Sequence, residues 1–218
     1  MIGEEAKLAE ARREMVERQL RARGIRDEEV LRAFLEVPRH CFVPPERQGE
    51  AYTDCPVPIG HGQTISQPYI VALMTQELAL RRRHRVLDVG AGSGYQTAVL
   101  ARLADHVYAM ERLDVLTERA MGALGALGVS NVTMCTGDGS LGWPEEEPFD
   151  RIVCGAAAPD VPQAWIDQLA DGGRIVLPVG GQDTQVLVAI DRKGDKITRR
   201  ELCDVRFVRL IGRHAWPT

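Results

Sequence analysis

Three carboxylates stand at the ends of three successive apolar runs that are typical of buried strands. Asp88 ends "RVLD", Glu111 ends "HVYAME", and Asp138 follows "NVTMCTG". Because the carboxyl ends of parallel strands meet at the ligand-binding edge of a sheet, we expect these acids to lie close together. Glu111 could accept from both hydroxyls of a ribose, and Asp138, with Gly139 beside it, from an adenine amino group. The pattern therefore predicts a site for an adenosine-containing cofactor.

The loop after the first run, "LDVGAGSGY", distinguishes between two such cofactors. Gly90, Gly92 and Gly94 let the backbone pass close beneath a ligand, and the next helix offers its N-terminus to a negative group. A dinucleotide fingerprint needs GxGxxG, but the sixth position here is Tyr95, which weakens an NAD interpretation. The spacing suits S-adenosylmethionine (SAM), whose carboxylate can meet loop amides while its ammonium donates to Asp88, directly or through water. We predict SAM as the cofactor.

Alternating strand and helix patterns must position these residues. Over 81–190, short apolar strands alternate with helices, and several strands are apolar almost throughout, which is typical of a parallel sheet covered on both faces. The pattern predicts an α/β fold with a doubly wound, Rossmann-like sheet of the SAM-dependent methyltransferase type. One helix is expected over "VPQAWIDQLADGG", with a glycine C-cap. In 191–218, extended segments around the "RKGD" turn predict an antiparallel C-terminal edge.

The first 80 residues are expected to add helices and an active-site loop to the same single domain. Helices are predicted over 4–22 and over 27–36, the second with Asp27 as its N-cap. Residues 37–66 contain too many prolines and glycines for regular structure and suggest a long ordered loop. A further helix is predicted over 68–80.

Composition excludes several function classes. The formal net charge of −4 and the aromatic content of 5% argue against nucleic acid as a partner. No apolar stretch approaches the roughly 20 residues that span a bilayer. Five scattered cysteines without a CxxC pair indicate neither a disulfide framework nor a metal site, and favour the reducing cytoplasm. A monomer is expected.

Long segments of the chain resemble the protein-L-isoaspartate (D-aspartate) O-methyltransferase family. They are "VPRHCFVP" (37–44), "AYTDCPVPIGHGQTISQPYIVALMTQEL" (51–78) and "VLDVGAGSGYQTAVLA" (86–101). Shorter matches are "TGDG", "CGAAAPDVP" and "GGRIVLPVG", so the resemblance covers nearly the whole chain. The glycine loop is common to many methyltransferases, whereas "GQTISQP" is far more specific.

The resemblance implies a substrate and an active site. Enzymes of this family methylate the misplaced carboxylate of L-isoaspartyl residues in damaged proteins, and also act on D-aspartyl residues. The ester then closes to a succinimide, which partly reopens as normal aspartate. By resemblance, Ser66 is the active-site residue, while Gln63 and Thr64 line the cleft for SAM and substrate. Because a carboxylate is already ionised at neutral pH, Ser66 is expected to orient the acceptor and not to act as a nucleophile.

Ser66, Asp54 and Arg209 keep alternative interpretations. Ser66 could also be the N-cap of the helix over 68–80, and both roles are compatible. Asp54 could orient the cleft or cap a turn, and His61 is interpreted as a loop residue. The family commonly has "VRFVPL", in a segment that helps line its substrate cleft, where this chain has "VRFVRL". Arg209, in place of that proline, could attract the acceptor carboxylate or face solvent.

Two other functions compete with protein repair. One is SAM-dependent methylation of a different acceptor, a small molecule or RNA. The other is a non-catalytic module that binds SAM or NAD, although a pure binder has no need of the "GQTISQP" segment. Turnover on an isoaspartyl peptide distinguishes these possibilities.

Overall fold

The computed structural model describes residues 2–181 and 184–217. The helices are α1 (Ile2–Glu14), α2 (Glu28–Glu36), α3 (Pro68–Glu77), α4 (Tyr95–Ala101), α5 (Asp114–Ala126) and α6 (Gln163–Asp167). The strands are β1 (Val57–Gly60), β2 (Gln63–Ile65), β3 (Arg85–Val89), β4 (His106–Glu111), β5 (Val132–Thr136), β6 (Phe149–Cys154), β7 (Leu169–Gly180), β8 (Gln185–Lys193) and β9 (Lys196–Val205).

Strands β3 to β9 form one sheet in the order β5-β4-β3-β6-β7-β8-β9. Neighbours from β5 to β7 pair in parallel, whereas β8 is antiparallel to both β7 and β9. Strand β3 is buried from Val86 to Val89, which explains why these residues are apolar except for Asp88. The strand order reverses at β3, so a crevice opens at the carboxyl ends of β3 and its neighbours. The predicted doubly wound sheet and its antiparallel C-terminal edge are confirmed.

The first helical segment is longer and less regular than predicted. After α1 the chain continues through a wide π-type turn (Met15–Leu20) and a tight turn (Arg21–Arg23). It stops at Gly24, whose φ of 95° favours glycine. The helix predicted over 4–22 is therefore present, but its last turns are not α-helical.

Helix α2 begins where its cap was predicted. The Asp27 carboxylate accepts hydrogen bonds from the backbone N–H groups of Glu29 (3.0 Å) and Val30 (3.3 Å). These groups have no acceptor within the helix, so the cap satisfies them. The helix ends at Glu36, ahead of Pro38.

The segment 37–66 contains regular structure, contrary to the prediction. Strands β1 and β2 form an antiparallel hairpin. Its turn is made by Gly60 (φ 92°), His61 (φ 53°) and Gly62 (φ 70°), all with left-handed backbone. A two-stranded ribbon has free edges, so it accommodates Pro58, which donates no hydrogen bond. The prediction of a loop without regular structure was therefore wrong, because prolines are compatible with this hairpin.

Two predicted helices are shorter than expected. Helix α3 ends at Glu77, not at residue 80. Helix α6 has only five residues, and β7 begins at Leu169, within the segment predicted as helix. Gly172 (φ 75°) and Gly173 lie inside β7, and a Cβ on Gly173 would come 2.6 Å from Leu169 Cγ. These glycines let the strand bend closely past its own start and do not cap a helix.

The N-terminal segment packs against the helix that follows the glycine loop. The Tyr95 ring of α4 makes edge contacts with Phe34 (centroids 5.8 Å apart) and Phe42 (5.7 Å). All three side chains belong to one buried cluster, which also contains Leu116 of α5. The same cluster includes buried residues of β1 and β2, so it joins the hairpin to α4 and α5. Within 2–181 and 184–217, no helix is both long and apolar enough to cross a membrane.

Candidate active site

A cleft runs along the carboxyl ends of β3, β4 and β6. The predicted site residues that line it are Gln63, Thr64, Gly90, Gly92, Glu111 and Gly139. An adjoining part, which also contacts Thr64 and Gly90, extends to Ser66. The structure therefore brings seven predicted residues together. Asp88, Gly94 and Asp138 are not among the residues that line the cleft.

Glu111 organises the cleft from the end of β4. It is 7% exposed, and its carboxylate accepts from the N–H groups of Gly92 (2.9 Å), Arg112 (2.8 Å) and Leu113 (3.0 Å). These bonds join the glycine loop to the β4–α5 connection. The same carboxylate lines the cleft, where the predicted ribose hydroxyls would meet it.

Gly94 has a structural role behind the cleft. A Cβ at this position would lie 3.0 Å from the Ala120 Cβ and 3.4 Å from its Cα. Its φ of 84° also disfavours other residues. Gly94 therefore allows the start of α4 to pack closely against α5.

Asp88 lies beneath the glycine loop. Its side chain is 1% exposed, and its Oδ2 accepts a 2.6 Å hydrogen bond from Thr97 Oγ1. Burial raises the pKa of Asp88 to about 6; the Thr97 bond opposes this shift, and the Glu111 charge adds to it. The predicted bond to the SAM ammonium stays a prediction, and this position suits the water-mediated form.

Asp138 holds the C-terminal segment. Its Oδ1 accepts from the N–H (2.9 Å) and the hydroxyl (2.6 Å) of Ser140, and its Oδ2 accepts from the N–H of Arg213 (2.7 Å). Both oxygens are thus engaged, so an adenine contact would have to share one of them. Gly139 lines the cleft, and its carbonyl accepts from the buried Trp165 indole (2.9 Å). The predicted adenine contact of Asp138 stays a prediction.

Ser66 faces the cleft and does not cap α3. The N-cap of α3 is Gln67, and no side chain caps that end of the helix. Ser66 is half-buried and, with Thr64, lines both the part of the cleft beside Gly90 and a groove formed by 204–208. The N-cap interpretation of Ser66 is therefore wrong, which leaves its hydroxyl available to a ligand.

Asp54 and His61 have separate surroundings. Asp54 Oδ1 accepts from Gln67 Nε2 (2.9 Å), and its Oδ2 pairs with Arg23 (2.9 Å). Asp54 thus holds the side chain of the residue after Ser66. His61 lies in the hairpin turn and lines a different cavity of about 680 Å³, between the hairpin and α5.

One residue of the cleft was missed in the sequence, and one wall was expected only from the family resemblance. Gly155, after β6, lines the cleft beside Gly90, and a Cβ there would lie 2.9 Å from the Gly90 carbonyl oxygen. The "CGAAAP" run at the end of an apolar strand was a signal for this close approach. Residues 208–211 form the opposite wall, pinned by bonds from Ala157 N to Val208 O and from Leu210 N to Ala157 O, both 2.8 Å. Nothing local in the sequence indicates that contact.

Arg209 is exposed and lines this wall beside Gln63. It therefore lies at the rim of the cleft, in contact with both solvent and the cleft opening. Among the residues of 2–181 and 184–217, no group of three or more histidines, cysteines or acids could hold a metal ion.

Comparison with known proteins agrees with this geometry. The protein-L-isoaspartate(D-aspartate) O-methyltransferase (PCMT) family model matches residues 10–215. A Geobacter metallireducens protein-L-isoaspartate O-methyltransferase is 51% identical over 95% of this chain and 97% of its own length. The Methanoregula boonei enzyme of that name is 50% identical over 95% of this chain and 96% of its own.

Solved structures give the same result. One protein-L-isoaspartate O-methyltransferase superposes with a TM-score of 0.83 at 29% identity, over 94% of this chain and 67% of its own. A Plasmodium falciparum beta-aspartate methyltransferase in complex with S-adenosyl-L-homocysteine (SAH) superposes with a TM-score of 0.80 at 31% identity, over 91% of this chain and 97% of its own. This chain belongs to the protein-L-isoaspartate(D-aspartate) O-methyltransferase family.

Proposed function

We propose that Ser66 orients the acceptor carboxylate in a protein repair reaction. The enzyme transfers a methyl group from SAM to the free carboxylate of L-isoaspartyl, and D-aspartyl, residues in damaged proteins. The observation that carries the role of Ser66 is its place in the cleft. The "GQTISQP" hairpin brings Thr64 and Ser66 against the glycine loop at Gly90 and Gly92.

The residues of the cleft fit SAM. Its floor is made of glycines, so a ligand can approach the backbone, and Glu111 supplies a carboxylate at the end of β4. Such a lining suits a flat adenine ring and a ribose. When bound, SAM supplies an electrophilic methyl group on a sulfonium centre. We propose Gln63, Thr64, Asp88, Gly90, Gly92, Gly94, Glu111, Asp138 and Gly139 as the residues that bind or support it.

The protein side of the reaction requires positioning more than proton transfer. The acceptor carboxylate is ionised at neutral pH, so no general base has to activate it. A hydroxyl at Ser66 can donate to one carboxylate oxygen and leave the other free to attack the methyl carbon. Holding the two reactants in line is the proximity contribution to catalysis.

The wider setting follows from the sequence. We propose a monomer with a single domain, located in the cytoplasm, that acts on protein chains and not on nucleic acid. The net charge of −4 and the free state of Cys41, Cys55, Cys135, Cys154 and Cys203 support this setting.

Methyl transfer to matched peptides tests the function. Labelled SAM is supplied with two peptides that differ only in an L-isoaspartyl or an L-aspartyl residue. We expect methylation of the isoaspartyl peptide and little of the aspartyl one. Equal rates on both, or transfer only to RNA or a small molecule, would contradict the proposal. SAM binding without turnover would indicate a non-catalytic binder.

A further inference from the structure

Arg39 is a fully buried cation that the reaction described above does not use. It follows Pro38 in the "VPRH" segment and has 0% exposure. Burying a guanidinium is costly unless hydrogen bonds compensate. Burial lowers the pKa of Arg39 to about 10, so it stays protonated at neutral pH. No carboxylate in 2–181 or 184–217 forms a salt bridge with it.

Two backbone carbonyls take the place of a carboxylate. Arg39 Nε donates to the carbonyl of Ala51 at 2.6 Å, and Nη2 donates to the carbonyl of Ser66 at 2.8 Å. The guanidinium also lies over the Tyr95 ring, with Cζ 4.8 Å from the centroid. Nη1 has no hydrogen-bond partner among the described residues. One planar fork thus joins the start of the 51–66 segment, its end and the first residue of α4.

The residue after Ser66, Gln67, is also fixed by hydrogen bonds. Gln67 Nε2 donates to both the carbonyl (3.1 Å) and Oδ1 (2.9 Å) of Asp54, which in turn pairs with Arg23. These bonds are exposed, so they are screened by solvent. The bond from Arg39 to Ala51 is buried and the bond from Arg39 to Ser66 is part-buried, and the second acts on the Ser66 residue itself. Without this bond the Ser66 carbonyl would lose a donor, and the backbone that carries its hydroxyl would no longer be fixed from this side.

We propose that Arg39 is a positioning residue for methyl transfer, acting through the carbonyl of Ser66 to hold that hydroxyl toward the acceptor. The proposal rests on the role of Ser66 proposed above. A lysine keeps the charge but lacks the rigid fork that reaches two carbonyls at once. The positioning role therefore requires an arginine, whereas a merely charged or space-filling role does not.

The experiment compares R39K with a matched control, R174K. Arg174 is partly buried and pairs with Asp191, and like Arg39 it bonds a backbone carbonyl, that of Glu77 (2.7 Å), but at the amino edge of the sheet. We measure kcat and KM for an isoaspartyl peptide, and the Kd of SAH by calorimetry. R39K is expected to lower kcat at least tenfold with the Kd of SAH within about threefold. R174K is expected to keep kcat within twofold.

A double-mutant cycle tests whether Arg39 acts through Ser66. If it does, R39K/S66A is no slower than S66A alone, because contacts that work as a unit are not additive. A wild-type kcat in R39K, or fully additive losses in the double variant, would overturn the proposal. A loss of SAH affinity in R39K as large as its loss of kcat would also overturn it, since that result indicates that the whole cleft is disrupted.

Further controls address the possibility that R39K simply fails to fold. Assays use saturating SAM, which stabilises the folded state by mass action. R39Q, which keeps an N–H donor without the charge, is the second variant, and it is expected to be at least as slow as R39K. R39Q with wild-type kcat would overturn the proposal. Failure of the wild-type enzyme on isoaspartyl peptides would instead refute the repair function, a result distinct from any of these.

Discussion

The Asp138 carboxylate accepts a 2.7 Å hydrogen bond from the backbone N–H of Arg213, 75 residues further along the chain. The neighbouring Ser140 hydroxyl accepts from the N–H of His214 (2.9 Å). These two bonds fasten the C-terminal segment beside the end of β5. Since residues 208–211 of that segment form one wall of the cleft, Asp138 sets the shape of the cofactor site without lining it.

Removing this carboxylate should weaken cofactor binding. We expect Asp138→Ala to raise the Kd of SAH roughly tenfold, in line with the worth of hydrogen bonds to a charged group. Asp195→Ala, an exposed change in the β8–β9 turn, is the control. Calorimetry measures both, and an unchanged Kd in the Asp138 variant would show that the segment stays in place without it.

The buried Asp88 should make stability depend on pH. Its pKa is raised to about 6, mainly by burial, so the folded protein holds a proton that the unfolded chain releases near pH 4. The contribution of Asp88 to stability is therefore lost as pH rises from about 4 to 6, and it does not change further above that. The loss is roughly 3 kcal/mol at most.

Asp88→Asn removes this titration. We expect the free energy of unfolding of the wild type, relative to that of the variant, to fall between pH 4 and 6 in the absence of ligand. Urea unfolding over this range measures the difference. Parallel pH profiles of the two proteins would disagree with a raised pKa. The variant should also bind SAH more weakly at pH 7, if ionised Asp88 supports the ammonium.

Glu111 should be the most sensitive cofactor residue. Its carboxylate receives three backbone N–H groups and also faces the cleft. We expect Glu111→Ala to raise the Kd of SAH by more than tenfold, because it removes the proposed ribose contact and loosens the glycine loop together. Glu118→Ala, an exposed change on α5, is the control. Calorimetric affinity equal to that of the wild type would remove Glu111 from the site.

Ser66 should affect turnover and not cofactor affinity. Ser66→Ala is expected to lower kcat for an isoaspartyl peptide by about one to two orders of magnitude through lost orientation. The Kd of SAH should stay within about threefold. Ser66→Thr keeps a hydroxyl and is expected to retain more activity. A normal kcat in the alanine variant would show that the hydroxyl does not contact the acceptor.

Arg209 should influence the choice of peptide. It is exposed at the rim of the cleft, so it can attract negative charge next to the isoaspartyl residue. We expect Arg209→Gln to raise KM about threefold for acidic peptides and little for neutral ones, with the difference vanishing at high salt. Arg82→Gln, at the amino edge of the sheet, is the control. Equal KM changes for both peptides would indicate that Arg209 only faces solvent.

The sequence predicts the central sheet well because its strands are short, largely apolar runs that alternate with helices. The same periodicity places Glu111 and the glycine loop at one edge. Prediction from periodicity fails where tertiary contacts override the local preference of a segment for helix or strand. Leu169 enters β7 because it pairs with Phe149, although its neighbours resemble a helix. The hairpin over 57–65 is hidden by prolines that its open edges accommodate.

The sequence also predicts the functional site only in part, because some of its contacts join distant segments and have no local signal. Residues next to glycines or in the "GQTISQP" motif have local signals. The bond from Arg213 to Asp138 and the bond from Arg39 to the Ser66 carbonyl join distant segments, and neither has a local pattern. Whether a carboxylate lines a cleft or lies behind its wall depends on such contacts.

Strand β9 ends the sheet, and an open strand edge can pair with any extended chain. Here the edge carries exposed Lys196, Arg199, Arg200 and Glu201. Charges at this density discourage a second strand from adding to the sheet. The substrates of this family are damaged proteins, which can expose extended segments. The charged edge disfavours pairing of such a segment with β9.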